Sequence, residues 1–274
     1  MHVIPAFHSP LVAPAASRQA LKRPIRWLPV RDPVSKATVG AVPVRIERLK
    51  RRHVSLWHRD VQPFIDRHFK RYEGRRESHV SATEEIRADV GWNWWHILTL
   101  LTLHNAATVL PLNRSGLGYG WALLLGEHGH DIPLGLMTMV PEFHCKVDGV
   151  DRSISFVWYF ADAPAAYLQE RSLPTVRNIA KALLDTAIQT RIDIVGDAST
   201  LLRAAPAGGP RLKTFYEKHC EMTPLKPTSQ RVSWFRSSPS DEYFELSDIK
   251  SRNFSQSFDD NRQPTSPLFT GEKA

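Results

Sequence analysis

One short segment of the sequence combines residues that suit the binding of a phosphate. Residues 173–184 carry Arg177 and Lys181 but no acidic residue. The second half of the segment has the composition of a helix. The first turn of a helix presents backbone N–H groups without intrahelical partners and the positive end of the helix dipole, and both stabilise phosphate oxygens. The segment therefore predicts an anion site at the start of a helix.

The spacing within this segment resembles a motif of the GNAT superfamily, the acyl-CoA-dependent N-acetyltransferases. The family pattern is Arg or Gln, two residues, Gly, one residue, then Gly or Ala, and its backbone N–H groups hold the pyrophosphate of acyl-CoA. Here Ala180 stands at the first small position, which leaves less room than Gly. The resemblance implies that acetyl-CoA is bound by six residues: Arg177, Asn178, Ile179, Ala180, Lys181 and Ala182.

A second stretch further along the chain supports the same resemblance. Residues 200–206 read as a short strand, and residues 212–222 contain Phe215-Tyr216-Glu217-Lys218 in a helical pattern. Together they are similar to the fifth strand of the GNAT fold and the helix after it, so the resemblance covers residues 154–225. In many family members a tyrosine here protonates the departing CoA thiolate. The resemblance implies that Tyr216 is the general acid, since a phenol with a pKa of about 10 can protonate a sulfur anion.

Acyl transfer to an amine needs two further groups. Donors must stabilise the oxyanion, and the resemblance implies backbone N–H groups at the end of the central strand: Trp158, Tyr159 and Phe160. A base must take the proton of the amine, directly or through water. Four acidic residues could do so, and their order stays open: Glu85, Asp89, Glu142 and Asp162. We name Glu142 and Asp162, with Tyr216, as the candidate catalytic residues.

The elements that must position these residues alternate between strands and helices. Hydrophobic periodicity predicts strands near residues 42–46, 119–125, 134–140, 154–160 and 200–204, with a strand pair in 231–246. It predicts helices near residues 57–69, 81–105, 175–190 and 210–219. This order indicates an α/β fold of the α+β type, a GNAT-like central mixed, mainly antiparallel sheet flanked by helices.

We predict three regions along the chain. Residues 1–40 form a disordered or poorly ordered basic arm, because the first thirty residues hold five prolines and no acidic residue. Residues 41–257 form the GNAT-like acyltransferase domain. Residues 258–274 form a disordered tail rich in Asp, Asn, Pro, Ser and Thr. The linker 161–175 is longer than the usual connection in the family, and its composition favours an extra half-helix.

The composition is that of a globular protein with a basic surface. The chain has 274 residues, 42% of them hydrophobic, and a net charge of +8. Such a charge attracts polyanions, and nucleic acid, anionic lipid and coenzyme A all qualify. The longest apolar run, residues 97–103, is too short to span a membrane. With only Cys145 and Cys220, the chain lacks the disulfide framework of a small secreted domain, which predicts a cytoplasmic protein.

Two other clusters could bind ligands, and each also has a plainer explanation. A basic run could grip the phosphates of nucleic acid or could be an exposed surface; it consists of Arg45, Arg48, Lys50, Arg51, Arg52 and His53. His128 and His130 could be metal ligands, but no second pair at a suitable spacing completes a site. We predict a solvated hairpin turn there, and no metal.

These observations favour an acyl-CoA-dependent N-acyltransferase that transfers acetyl from acetyl-CoA directly to an amine acceptor. The sequence does not identify that acceptor. The alternative, from another class, is a catalytically silent module that binds CoA or nucleic acid on the same fold. Nucleic acid and a homodimer stay open as partners, and no membrane partner is predicted.

Overall fold

The protein is described here from a computed structural model, which covers residues 20–72, 86–109, 114–126, 131–147, 149–225 and 242–264. Its strands are β1 (Trp27–Arg31), β2 (Thr38–Arg48), β3 (Tyr119–Leu125), β4 (Ile132–Val147), β5 (Val150–Asp162), β6 (Thr200–Ala204), β7 (Thr223–Pro224) and β8 (Glu242–Leu246). Its α-helices are α1 (Arg51–Leu56), α2 (Gln62–His68), α3 (Trp94–Ala107), α4 (Ala165–Glu170), α5 (Ile179–Val195), α6 (Gly209–Thr214) and α7 (Asp248–Gln256).

The strands form one sheet in the order β1-β2-β3-β4-β5-β6-β8-β7. Every neighbouring pair is antiparallel except β5 and β6, which are parallel. A parallel pair needs a crossover that brings the chain back to the start of the sheet. The chain makes this crossover through α4 and α5. The predicted fold class, a mixed and mainly antiparallel sheet flanked by helices, is confirmed.

Helix α5 is the most deeply buried helix of those described. Its apolar residues Ala182, Leu183, Ala187 and Ile188 are completely or almost completely buried, and the helix packs against β4 and β5. The close approach depends on Gly135 in β4, because a Cβ there would lie 2.8 Å from a methyl carbon of Leu183. The start of α5, which carries the predicted anion site, is therefore held at a fixed height above the sheet.

A π-helical turn interrupts the helical segment that contains α1 and α2. Residues Trp57–Val61 form a π-helical turn between the two α-helices. Pro63 lies at the start of α2 and has no N–H for a bond to the preceding turn, which accounts for the local change of hydrogen-bond pattern. The helix predicted over residues 57–69 is confirmed, and it begins earlier, at Arg51.

Helix α3 is shorter than predicted. The side chain of Asn93 accepts hydrogen bonds from the backbone N–H groups of Trp95 at 3.0 Å and His96 at 3.2 Å, and it caps a helix that begins at Trp94. Gly91, with φ of +69°, lies in a turn just before the cap. The predicted capping box at Ser81 and Glu84 lies outside the described residues. Residues 86–93 are not helical, and they are free to contribute to the site described below.

The domain predicted over residues 41–257 is too short at both ends. The arm predicted over residues 1–40 is wrong for residues 27–40, because β1 pairs with β2 and Leu28 is fully buried. Pro29 breaks a helix but is accepted in this strand, where its carbonyl is used as an acceptor. The tail predicted from residue 258 is wrong up to residue 262, because Phe258 is buried and Arg262 is ion-paired. Residues 1–19 and 265–274 lie outside the described residues. The half-helix predicted in the linker is α4.

Candidate functional site

The two parallel strands separate after three paired positions. Register pairs join Ser155 to Thr200, Phe156 to Leu201 and Val157 to Leu202. Beyond Val157, β5 continues beside β4 as far as Asp162, whereas β6 continues beside β8. The ends of β5 and β6 thus follow different neighbours. A cleft opens between them.

A β-bulge lies at the point where the strands separate. Along β4, Met139 is opposite Val157 and Thr138 is opposite Tyr159, so that Trp158 is an extra residue in β5. A bulge bends a strand and redirects its side chains. The ring of Trp158 packs edge-on against His104 of α3, with ring centroids 4.8 Å apart. The bulge therefore bends β5 away from β6 at the bottom of the cleft.

The cleft has a volume of about 370 Å³, which lies within the usual range for small-molecule sites. Its walls come from residues 86–92, the end of β5, the first turn of α5, the end of β6, and α6 with the π-helical turn after it. The lining side chains that could contribute chemistry or affinity are Arg87, Asp89, Trp92, Trp158, Tyr159, Phe160, Asp162, Ala180, Arg203, Arg211, Phe215 and Tyr216.

Aromatic rings form much of the surface of the cleft. Trp92 meets Tyr159 edge-on, with centroids 5.1 Å apart. On the other wall Phe160 and Phe215 contact Tyr216, at centroid distances of 6.2 and 5.7 Å. These edge-to-face and tilted contacts fix the orientation of each ring. The cleft is thus a preformed apolar slot with charged groups at particular points.

Tyr216 lies on the wall of the cleft. It belongs to the π-helical turn Phe215–His219, which continues α6 within the predicted helix 210–219. Its side chain is buried, and its ring packs on Phe244 of β8 at 5.4 Å. Burial raises the pKa of Tyr216 well above its ordinary value of 10, and the nearby carboxylates of Asp162 and Asp89 raise it further. Its hydroxyl therefore stays protonated throughout the physiological pH range.

A buried guanidinium group holds the two aspartates of the cleft. Arg87 donates from Nε and Nη2 to the two carboxylate oxygens of Asp89, at 2.9 and 2.8 Å. The same Nη2 reaches Oδ1 of Asp162 at 2.9 Å and its backbone carbonyl at 2.6 Å. Both Asp89 oxygens are thus occupied. Asp162 is 37% exposed, and within the described residues its Oδ2 accepts no hydrogen bond.

Glu142, the second carboxylate predicted to be catalytic, lies outside the cleft. It lies in an irregular part of β4, between Val140, opposite Phe156, and Phe143, opposite Ile154. Its side chain packs over Gly116. The strand pairing therefore separates Glu142 from Asp162, and only Asp162 is brought to the cleft with Tyr216. Glu85 lies outside the described residues.

The start of α5, which was predicted to bind an anion, borders the cleft. Ala180 lines the cleft, and the exposed residues Arg177 and Asn178 precede the helix. Asn178 has φ of +62° and its carbonyl accepts the N–H of Ala182. An Asn tolerates this left-handed conformation better than most residues do. The N–H of Arg177, however, donates to the carbonyl of Pro29 at 2.8 Å, so this group is not directed at a ligand.

Several cleft residues were missed by the sequence analysis. Arg87 and Trp92 were assigned to a helix that begins only at Trp94, so their convergence on the end of β5 could not be foreseen. Arg203 lies in β6 and Arg211 in α6, and no motif marks either residue as functional. The opposite charges of Arg87 and Asp89, two residues apart, are the one available signal; in the structure they lie at the start of the turn that residues 88–91 form.

The other clusters take structural roles. Arg45 pairs with Asp131 at 2.6 Å, and Arg52 pairs with Glu47 at 2.7 Å, so the basic run is partly neutralised within the chain.

Burial raises the pKa of Cys145 to about 11 and that of Cys220 to about 12. His128 and His130 lie outside the described residues, which contain no cluster of metal-binding side chains. No helix in the described ranges is long and apolar enough to cross a membrane.

The connectivity around the cleft has the features that the family resemblance implies. A central strand, β5, leads into a helix start without acidic residues, and then a parallel strand leads into the segment with Tyr216. The chain has a GNAT-like fold. The region outside residues 154–225, where the sequence resembles the family only in the order of its elements, supplies the antiparallel part of the same sheet.

Comparisons with known proteins return solved structures at low sequence identity. No protein-family model matches the sequence, and no curated protein matches it significantly. A GNAT-family acetyltransferase from Staphylococcus aureus Mu50 has 13% identity and a TM-score of 0.42, with 74% of this chain and 98% of that chain covered. Mycobacterium smegmatis RimJ in complex with CoA-disulfide has 15% identity and a TM-score of 0.41, covering 83% and 89%. The KacTA–DNA complex has 14% identity and a TM-score of 0.37, covering 68% and 95%.

Proposed function

We propose that the protein is an acyl-CoA-dependent N-acyltransferase that transfers acetyl from acetyl-CoA to an amine. The observation that carries the proposal is the separation of β5 from β6, which opens an aromatic cleft where Tyr216, Asp162 and Ala180 converge. A cytoplasmic location is proposed with it, in keeping with two buried free thiols.

The residues present suit an acyl-CoA as co-substrate. The apolar walls of the cleft suit its long pantetheine arm. The first turn of α5 has no acidic residue, and its N–H groups and dipole suit the diphosphate, with Arg177 and Lys181 as nearby cations. Backbone N–H groups at Trp158, Tyr159 and Phe160 would stabilise the carbonyl oxygen as negative charge develops on it. Acetyl-CoA supplies the acyl group as a thioester.

Two side chains of the cleft are placed to carry the two proton transfers of the reaction. Asp162 keeps one carboxylate oxygen available and would accept the proton of the amine as nitrogen attacks the thioester carbon. Tyr216 would donate its hydroxyl proton to the sulfur as the carbon–sulfur bond breaks. Arg87 holds Asp162 in place through its Oδ1. The transfer is direct, and no acyl-enzyme forms.

Ligand-induced thermal stabilisation tests the binding step. A ligand at 100 times its Kd that binds only the native state stabilises it by about 2.7 kcal/mol. We expect acetyl-CoA and CoA each to raise Tm and a short RNA to leave it unchanged. Stabilisation by RNA alone would instead support the nucleic-acid-binding alternative. If acetyl-CoA does bind, release of free thiol with a panel of primary amines separates an enzyme from a silent CoA-binding module.

A further inference from the structure

Strand β1 has a partner on each of its edges. One edge pairs with β2. On the other edge the N–H of Arg31 donates to the carbonyl of Thr175 at 2.9 Å, and the N–H of Arg177 donates to the carbonyl of Pro29 at 2.8 Å. Val30 lies opposite Val176 in an antiparallel bridge. The loop that leads into α5 is therefore bound to the sheet through β1.

These bonds hold the loop directly before its exposed turn. Thr175 and Val176 are buried against the domain, whereas Arg177 and Asn178 are exposed. The next residue, Ile179, begins α5. A residue that must be ordered when a ligand binds weakens binding through the conformational entropy that it loses. A loop already fixed by β1 avoids most of this loss.

Strand β1 is itself fixed by the end of the described chain. The N–H of Arg26 donates to the carbonyl of Asn261 at 2.8 Å, and the side chain of Asn261 donates to the carbonyl of Trp27 at 3.0 Å. Arg262, the next residue, pairs with Asp185 of α5 at 2.6 Å. We call these contacting segments, residues 25–31 and 258–263, the terminal clasp. The clasp holds α5 at its start and near its middle.

We propose that the backbone of β1 positions the start of α5 for the diphosphate of the co-substrate. The inference rests on the proposed function. The positioning groups are the carbonyl of Pro29 and the N–H of Arg31, which act through Arg177 and Thr175 and do not line the cleft; the side chain of Arg31 takes no part. The N–H of Arg177 holds the loop in place, and the N–H groups of the following helical turn face the diphosphate.

Two variants at one position separate the backbone contact from the side chain. Arg31→Pro removes the N–H that reaches Thr175, whereas Arg31→Ala keeps it and removes only the guanidinium, which donates to the carbonyl of Lys36. We expect Arg31→Pro to raise the Kd for CoA and the KM for acetyl-CoA about tenfold, with kcat and the KM for the amine within about twofold. Arg31→Ala should match the wild type in all four constants. Equal CoA affinity in folded Arg31→Pro, or an equal loss in both variants, would overturn the proposal.

Amide hydrogen exchange gives a second readout that does not depend on a variant that may unfold. In the wild type without ligand, the amide of Arg177 should exchange slowly, because it is bonded to Pro29. Exchange as fast as that of an unbonded exposed amide would overturn the role of β1. A wild type that binds neither CoA nor acetyl-CoA would refute the proposed function itself. Normal wild-type binding with unchanged Arg31→Pro affinity would refute only this inference.

Discussion

Arg87 and Arg262 make similar contacts in two different regions of the molecule. Each is a largely buried guanidinium that makes two hydrogen bonds to the carboxylate of a buried aspartate, Asp89 for Arg87 and Asp185 for Arg262. At the cleft, Arg87 also holds Asp162, which is 37% exposed. At the terminal clasp, Asp185 is 1% exposed and receives a further hydrogen bond from Ser255.

The two ion pairs differ in whether a carboxylate oxygen remains accessible to a substrate. Removing one partner of a buried ion pair is costly, because the remaining charge is left buried without compensation. An ion pair at the wall of a cleft can keep a carboxylate oxygen for a substrate. The same chemistry is therefore structural at the clasp, and at the cleft it orients a reactive group. Loss of stability and loss of turnover distinguish the two roles.

The largest expected effect is on stability, at the clasp. Arg262→Met leaves Asp185 buried without its cation, and we expect the free energy of unfolding to fall by about 3–5 kcal/mol. Urea denaturation of the purified protein measures this loss. Arg252→Met is the matched control, because Arg252 pairs with Asp248 at the surface, with both side chains about 40% exposed. Its loss should stay within about 1 kcal/mol. Equal losses of unfolding free energy in the two variants would show that the buried and the exposed ion pair do not differ in their contribution to stability.

The pH dependence of the same variant sharpens the test. Burial raises the pKa of Asp185 from 3.8 to about 6, and Arg262 opposes the shift. The folded state therefore holds the proton more tightly than the unfolded state, so this group contributes less stability as pH rises from about 4 to about 6. Without Arg262 the folded pKa rises further and the loss continues above pH 6. The gap between wild type and Arg262→Met should be larger at pH 7 than at pH 5.

The next largest effect should be on turnover, at the cleft. Asp162→Asn removes the proposed base and leaves the pairing of Arg87 with Asp89 intact. We expect kcat to fall about 100-fold, because a general base contributes about that factor to the rate. Tm should change little. Steady-state kinetics with acetyl-CoA and an accepted amine measures it. Glu142→Gln is the control, and its kcat should remain within about twofold because Glu142 lies outside the cleft. A larger loss in Glu142→Gln would reverse the assignment.

A smaller effect is expected for the proposed acid. Tyr216→Phe should lower kcat only about tenfold. A thiolate is a weak base and can leave without being protonated first, so the loss of the acid is only partly felt. The Kd for acetyl-CoA should stay within about twofold. Tyr167→Phe is the control, since Tyr167 is buried against Phe64 outside the cleft. An unchanged kcat in Tyr216→Phe would show that its hydroxyl takes no part in proton transfer.

The sequence predicted much of the fold because periodicity is a local property. The strands near residues 119–125, 154–160 and 200–204 show their period-2 or apolar patterns without reference to partners. The helix predicted over residues 81–105 failed at its start, because Gly91 and Asn93 interrupt it with a turn and a cap. The first strand was missed because the prolines of the first thirty residues indicate a flexible segment, whereas the pairing of β1 with β2 and with the loop before α5 stabilises it.

For the site, the sequence by itself determined which groups were available: an acid-free helix start at Arg177 to Ala182, a tyrosine after the following strand, and aromatic residues at the end of β5. These follow from residue type and order along one segment. The tertiary structure alone decided that Asp162 and not Glu142 reaches the cleft, that Arg87 orients it, and that β1 holds the loop before α5. Each of these depends on strand register and on contacts between residues far apart in sequence, which no local pattern encodes.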